Sequence, residues 1–386
     1  MSKSKILSFA DNLMERSPPG RPVWNIEQLS GHTQPGWNYV DGCMMKAMLD
    51  LYGATGDHKY AGFADRFTDY YIGGGGEILG YDREAFNSDS VNGGKVLFAL
   101  YELTGKEKYR KAAHRLYDQL LSHPRTASGS FWHKKIYPHQ VWLDGLYMTL
   151  PFYAEYERRL NQSRNLGDIV KQFGNVRNNM RDETTGLLYH GRDESLQAVW
   201  ADPQTGRSRH FWGRSLGWCV MALLDTAEQI DEQQFDQRET LVGYLKELVD
   251  AMLNFTDPET GMLWQVADQT GQAGNYLETS ASCALAYTLM KAARLGFLPE
   301  YYFQHGNRIF DSVVRHKLRS DGNAPVLSDI CLVAGLGIYL GKGDYKERDG
   351  TYEYYISEPR VDNDAKGVAP FLMAFAELLR KNGGQC

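Results

Sequence analysis

Basic clusters are missing from this chain. Its 42 Lys and Arg are outnumbered by 48 Asp and Glu, which leaves a net charge of −6. No stretch interleaves cations with aromatics, so nucleic acid is not an expected partner. Cysteine is scarce and scattered: Cys43, Cys219, Cys283, Cys331 and Cys386 form no CxxC pair. That pattern points to a reduced, cytoplasmic protein with neither a disulfide frame nor a zinc site. The stretch from Met1 to Asp11 has two lysines but no apolar core of a signal peptide. No apolar run is long enough to span a bilayer, so no membrane contact is expected. The chain has no dinucleotide fingerprint, phosphate loop or HExxH pair, and no Gly-x-Ser-x-Gly elbow. The histidines do not fall at metal-ligand spacings, and no metal or cofactor is expected. No Pro-, Gly- or Ser-rich linker and no charge block divides the chain, so residues 1–386 read as one domain.

Aromatics, in contrast, are plentiful, at 12% with 8 Trp and 24 Tyr. Such rings suit a tyrosine-rich helical core and equally a sugar ligand, because they join an apolar face to a polar edge.

The clearest organisation is a repeat with an offset of 49. Leu51-Tyr52-x-x-Thr55-Gly56-x-x-Lys59-Tyr60 recurs as Leu100-Tyr101-x-x-Thr104-Gly105-x-x-Lys108-Tyr109. After each Thr-Gly the apolar residues fall at helical period: Tyr60, Phe63, Ala64, Phe67 and Tyr71, then Tyr109, Ala112, Ala113, Leu116 and Leu120. Gly56 and Gly105 fit the left-handed position that ends a helix. Each unit is therefore a helical hairpin, and repeated hairpins build a solenoid or a closed ring. About a dozen helices suit six hairpins. A weaker repeat lies in the connections, where Asp182 to His190 resembles Asp257 to Gln265 and Ser128 to His133 has the same character. Each predicts a tight turn feeding a very short strand. In a ring these would gather at one end, with His133, His190 and Gln265 towards a common cavity.

One carboxylate, Asp144, sits among Val141, Trp142, Leu143, Leu146, Tyr147 and Met148. Pro138 predicts a helix start directly after it, which puts Asp144 on one side with Gln140, Val141, Tyr147 and Met148. A carboxylate on an apolar stripe is costly unless it is hydrogen-bonded or protonated, and a protonated carboxyl is what a general acid needs. A satisfied buried aspartate fits the same pattern. Gly145 leaves room for a close approach to the helix. Asp89 precedes a helix and reads either as a cap or as a partner carboxyl for Asp144. Arg214 and Trp218, with Trp212 close by, read either as a cation–π packing cluster or as an aromatic wall with a guanidinium for a carboxylate. Tyr39 lies at another helix entry. His190 by itself reads as a structural histidine.

Together, Trp132-His133-Lys134, the run from Tyr137 to Met148, Tyr189-His190 and the run from Phe211 to Trp218 resemble glycoside hydrolase family 105, the unsaturated rhamnogalacturonyl hydrolases and their relatives. The resemblance covers most of the chain from about Trp37 onward. It implies an all-α (α/α)6 barrel of six helical hairpins with short strands in the connections. It also implies hydration of a 4,5-unsaturated uronic acid at the non-reducing end of oligosaccharides left by polysaccharide lyases. By motif, Asp144 resembles the general acid and then base, Asp89 the second aspartate, and His190 the histidine near the attacking water. Tyr39, His133, Lys134, Trp212, Arg214 and Trp218 resemble sugar-binding positions, with Arg214 and Lys134 set for the uronate carboxylate. Two departures, the polar run around Asp89 and the presence of Asp41, leave the aglycone open between pectin-derived rhamnose, sulfated rhamnose and other sugars. A family 88 glucuronyl hydrolase, a sugar epimerase on the same ring and a non-catalytic helical-repeat carbohydrate binder are the competing readings. The expected assembly is a monomer or homodimer.

Overall fold

The computed structural model describes residues 3–321, 324–339 and 346–383. Its helices are α1 (Lys3–Glu15), the single-turn α2 (Ile26–Leu29), α3 (Tyr39–Thr55), α4 (His58–Tyr71), α5 (Leu97–Thr104), α6 (Glu107–Ser122), α7 (Leu143–Leu160), α8 (Leu166–Met180), α9 (Gly213–Ala227), α10 (Phe235–Leu253), α11 (Thr279–Arg294), α12 (Tyr301–His316), the short α13 (Tyr352–Ser357) and α14 (Ala365–Lys381). A 3-10 stretch, Ser88–Val96, leads directly into α5.

Six of these helices form a closed inner ring. α14 packs on α3, α3 on the 3-10 stretch before α5, that stretch on α7, α7 on α9, α9 on α11, and α11 back on α14. The outer helices α4, α6, α8, α10 and α12 each lie against the inner helix before them. The sixth outer place belongs to α1, whose Phe9 meets Phe371 of α14 edge-on at 6.3 Å. Burial follows this layering. Every residue of α9 is buried, as is every residue of α11 up to Ala293, while α12 buries only one face. A helix apolar on all sides belongs inside, and one with a single stripe belongs on the wall. The architecture is therefore an (α/α)6 barrel.

The Thr-Gly turns do what their spacing predicts. Gly56 and Gly105 sit at φ 71° and 69°. In each copy the threonine hydroxyl donates to the carbonyl four residues back and accepts from the amide two residues on. The Asp-x-x-Thr-Gly turns also repeat in atomic detail. Asp182 and Asp257 each accept from the threonine amide three residues later, ahead of Gly186 and Gly261 at φ 75° and 73°. A third copy, not singled out in the sequence, runs from Asp202 through Gly206 at φ 73°.

Connections from an inner helix to the next outer one are short, such as 56–57 and 105–106. Those that enter inner helices are long: 16–38, 72–96, 123–142, 181–212, 254–278 and 317–364. All six inner helices thus present their N-terminal ends to the rim where the chain has length to spare. Cys43, Cys219, Cys283 and Cys331 are buried free thiols; Cys386 lies outside the described residues. No helix among the described residues is long and apolar enough to cross a membrane.

Candidate active site

The helix carrying Asp144 starts later than its sequence predicts. Gln140–Trp142 is a strand, β1, and α7 begins at Leu143, so Gln140 and Val141 do not share a helical face with Asp144. The cause is long-range. β1 pairs antiparallel with β2 (Gly191–Asp193), Trp142 opposite Gly191, and the Leu143 amide donates to the His190 carbonyl at 3.0 Å. This ladder brings His190 to the start of α7. Asp144 occupies the first turn of the helix, where the unsatisfied amides favour a carboxylate. Its side chain is 16% exposed, neither in bulk water nor sealed off.

Asp144 Oδ2 and His190 Nε2 stand 3.4 Å apart, and neither atom has a hydrogen-bond partner. The imidazole itself is fully buried and fixed. Its Nδ1 meets the Tyr355 hydroxyl at 2.9 Å, and its ring lies 4.9 Å from Trp212 and 5.7 Å from Trp142. On the other side of Trp142, the His133 ring stacks at 4.3 Å and the Tyr137 ring at 4.8 Å. Beyond Trp212, the indole Nε1 donates to Gln265 Oε1 at 3.1 Å. His133, His190 and Gln265, all buried, are therefore linked in one chain of contacts through Trp142 and Trp212. Burial, then the neighbouring Lys134 charge, holds His133 well below the usual histidine range, so it stays neutral. The space left by Gly145 is taken by His133, whose Nδ1 would stand 3.2 Å from an added Cβ.

Asp89 does not cap its helical stretch; Asn87 does, accepting from the Asp89 amide at 3.0 Å. The Asp89 carboxylate instead pairs with Lys134 Nζ at 2.6 Å. Burial would lower the lysine, but the Asp89 carboxylate more than offsets it and raises Lys134 above its ordinary value. Among the described residues no hydrogen bond joins Asp89 to Asp144, and each carboxylate has its own basic neighbour. Asp89 and Lys134 line a cleft of about 290 Å³ together with Trp37, Tyr39, Tyr137 and Arg348. Burial, then the charge of Glu27, pushes the Tyr39 phenol well up, so its hydroxyl keeps its proton.

Arg214 is not among the residues that line this cleft. It is 2% exposed, lies 4.6 Å from the Trp212 ring, and donates to the carbonyls of Cys331 and Leu332. Its Nε has no partner. Trp218 is also deep, its ring parallel to Tyr147 at 4.9 Å and 12°. The aromatic wall expected from Trp212 and Trp218 is thus divided. Trp212 supports His190, while Trp218 packs in the barrel core. Three residues of the site escaped the sequence reading: Tyr355 behind His190, and Glu27 and Arg348 on the cleft. Glu27 is held below the usual carboxylate range against its own burial, chiefly by Lys366 at 2.7 Å. Its partner is 339 residues away in the chain, which no local pattern reveals.

A model of Glycosyl Hydrolase Family 88 matches residues 10–382. The structure of a glycoside hydrolase from family 105 of C. acetobutylicum ATCC 824 superposes with a TM-score of 0.85 at 41% identity, covering 95% of this chain and 98% of that one. Protein Atu3128 of Agrobacterium fabrum is 37% identical over 239 residues, which is 60% of this chain and 98% of that protein. The unsaturated rhamnogalacturonyl hydrolase YesR of Bacillus subtilis is 25% identical over 268 residues, 67% of this chain and 72% of its own length.

Proposed function

Since the chain belongs to the glycoside hydrolases of families 88 and 105, we propose that it removes a 4,5-unsaturated uronic acid from the non-reducing end of a rhamnogalacturonan-type oligosaccharide. At the coarser level it is an unsaturated uronyl hydrolase of that group. The observation that carries the acid–base part of this reading is the Asp144–His190 pair, two groups whose facing atoms have no hydrogen-bond partner. Likeness to a rhamnogalacturonyl hydrolase over 67% of the chain supports the substrate class.

The reacting bond is a vinyl ether. Asp144, as the carboxylic acid, gives its proton to C4 of the unsaturated ring, and positive charge develops at C5 beside the ring oxygen. The carboxylate left behind takes a proton from a water molecule on the His190 side, and the hydroxyl adds to C5. Asp144 is thereby restored, and the hemiketal opens with loss of the aglycone. General acid–base transfer of this kind requires groups within hydrogen-bond reach of the substrate. Asp89, Lys134 and Tyr39 give the cleft paired charge and a protonated hydroxyl for sugar hydroxyls, and Lys134 also serves the uronate carboxylate. The cleft of about 290 Å³ at Asp89, Lys134 and Tyr39 has room for a sugar ring, and neither Asp144 nor His190 is among the residues lining it.

The test is a panel of pectin-, ulvan- and glycosaminoglycan-lyase digests, followed by the ultraviolet absorbance of the conjugated unsaturated acid. Loss of that absorbance is expected first with the pectin-derived digest and is expected to vanish in a folded Asp144→Asn variant. Turnover of the glycosaminoglycan digest alone would move the substrate to the glucuronyl class. An active Asp144→Asn protein would remove the central assignment.

A further inference from the structure

Pro151 lies inside α7, the helix that carries Asp144. A proline has no amide hydrogen, so the carbonyl four residues earlier, that of Tyr147, loses its helical partner. A buried carbonyl without a donor is costly. Here the donor comes from another element. Lys95 Nζ lies 3.2 Å from the Tyr147 carbonyl oxygen and 3.2 Å from the centre of the Tyr147 ring. Lys95 belongs to the 3-10 stretch Ser88–Val96, which packs directly on α7, and is 6% exposed. Keeping a lysine in such a place needs a reason, because its charge is opposed by burial.

The contact reaches the candidate acid through one turn of helix. Tyr147 is three residues after Asp144, on the same face of α7. Its ring is fixed from the other side by Trp218. Lys95 therefore holds the backbone and the ring of the residue on which the Asp144 turn rests. We propose that Lys95 is a positioning residue for Asp144, supplying from the neighbouring inner helix the hydrogen bond that Pro151 removes from α7. This role rests on Asp144 being the proton donor, but the link between Lys95 and Pro151 does not. Cys43, Asp225, Lys46 and Lys291 are the other titratable groups that Lys95 feels. A neutral amine still carries N–H donors, so the bond to Tyr147 survives loss of the ammonium proton.

The test is a double-mutant cycle of Lys95→Met and Pro151→Ala, read by kcat and KM on the digest that the wild type turns over and by thermal unfolding. In the native background Lys95→Met is expected to lower kcat about tenfold, with KM changed by less than about twofold. Alanine at 151 restores an amide for Tyr147, so the same Lys95→Met change is then expected to cost less than about twofold in kcat. Equal losses in the two backgrounds, or an effect on KM alone, would overturn the proposal. If Lys95→Met fails to fold by itself, an active, folded double variant supports the link and an unfolded one defeats it. Because unfolding reads the coupling without any turnover, an enzyme inactive on every digest defeats the proposed function and still leaves the Lys95–Pro151 link decided by its own measurement.

Discussion

His190 and Tyr355 are 165 positions apart in the chain and 2.9 Å apart in space. Burial, then the charge of Asp144, pushes the Tyr355 phenol well above its ordinary value, so it holds a proton that it can donate to Nδ1. With Nδ1 accepting from Tyr355, the imidazole proton stands on Nε2, the atom that faces Asp144. Tyr355→Phe preserves the packing and removes only the donor. Loss of such an orienting partner is expected to lower kcat roughly 10–100-fold with little change in KM. An unaltered kcat would mean that the tautomer of His190 is set by other contacts.

Lys134 and Asp89 are expected to act as one unit. Both are mostly buried at the cleft, so removing one leaves the other charge uncompensated. Lys134→Met and Asp89→Asn should each weaken stability, while the double variant should recover about 1 kcal/mol or more of the summed loss in urea unfolding. Strict additivity would speak against the pairing.

Arg214 is expected to be as much a fastener as a ligand. Arg214→Ala abandons the carbonyls of Cys331 and Leu332, at roughly 2–5 kcal/mol for buried acceptors left without a charged donor. Limited proteolysis near Cys331 and Leu332 is then expected to be faster in the variant than in the wild type. Arg214→Lys should fail to restore protection, because a point charge does not span two acceptors as a planar fork does. A variant with native resistance and only a raised KM would assign Arg214 wholly to substrate.

Stability is expected to depend on pH through Lys95. Burial pushes its ammonium down to about 7, whereas an unfolded lysine titrates near 10.4. Between those values the unfolded chain holds a proton that the folded one has released. Stability therefore gains as pH rises from about 7 to about 10, by at most about 1.4 kcal/mol per unit, and loses as pH falls back. The difference in urea stability between wild type and Lys95→Met should widen with pH across that window. A constant difference would show that Lys95 stays charged.

What the sequence reveals is the part of the fold made by near neighbours. Thr55-Gly56 and Thr104-Gly105 close their hairpins with bonds spanning two to four residues, so a repeat of ten residues announces them. The turns before His190 and Gln265 are equally local. The start of α7 is not. Gln140–Trp142 becomes a strand because Gly191–Asp193 lies beside it, and helical spacing read through Pro138 extends the helix too far upstream. The same separation hides Tyr355 behind His190 and Lys366 behind Glu27. Motif resemblance finds Arg214 but is blind to the direction of its guanidinium, which is set by carbonyls 117 and 118 residues away.

The wedge of α14 between α11 and α3 has a consequence for synthesis. A nascent chain leaving the ribosome makes α1 and α3 well before α14, the helix whose surface they bury against. Until the seventeen residues of α14 emerge, the circle stays open, with Phe9 and the apolar flank of α3 facing water. Such an intermediate invites self-association, so yield in a cell-free system should respond to holdase chaperones present during elongation far more than to those added after release.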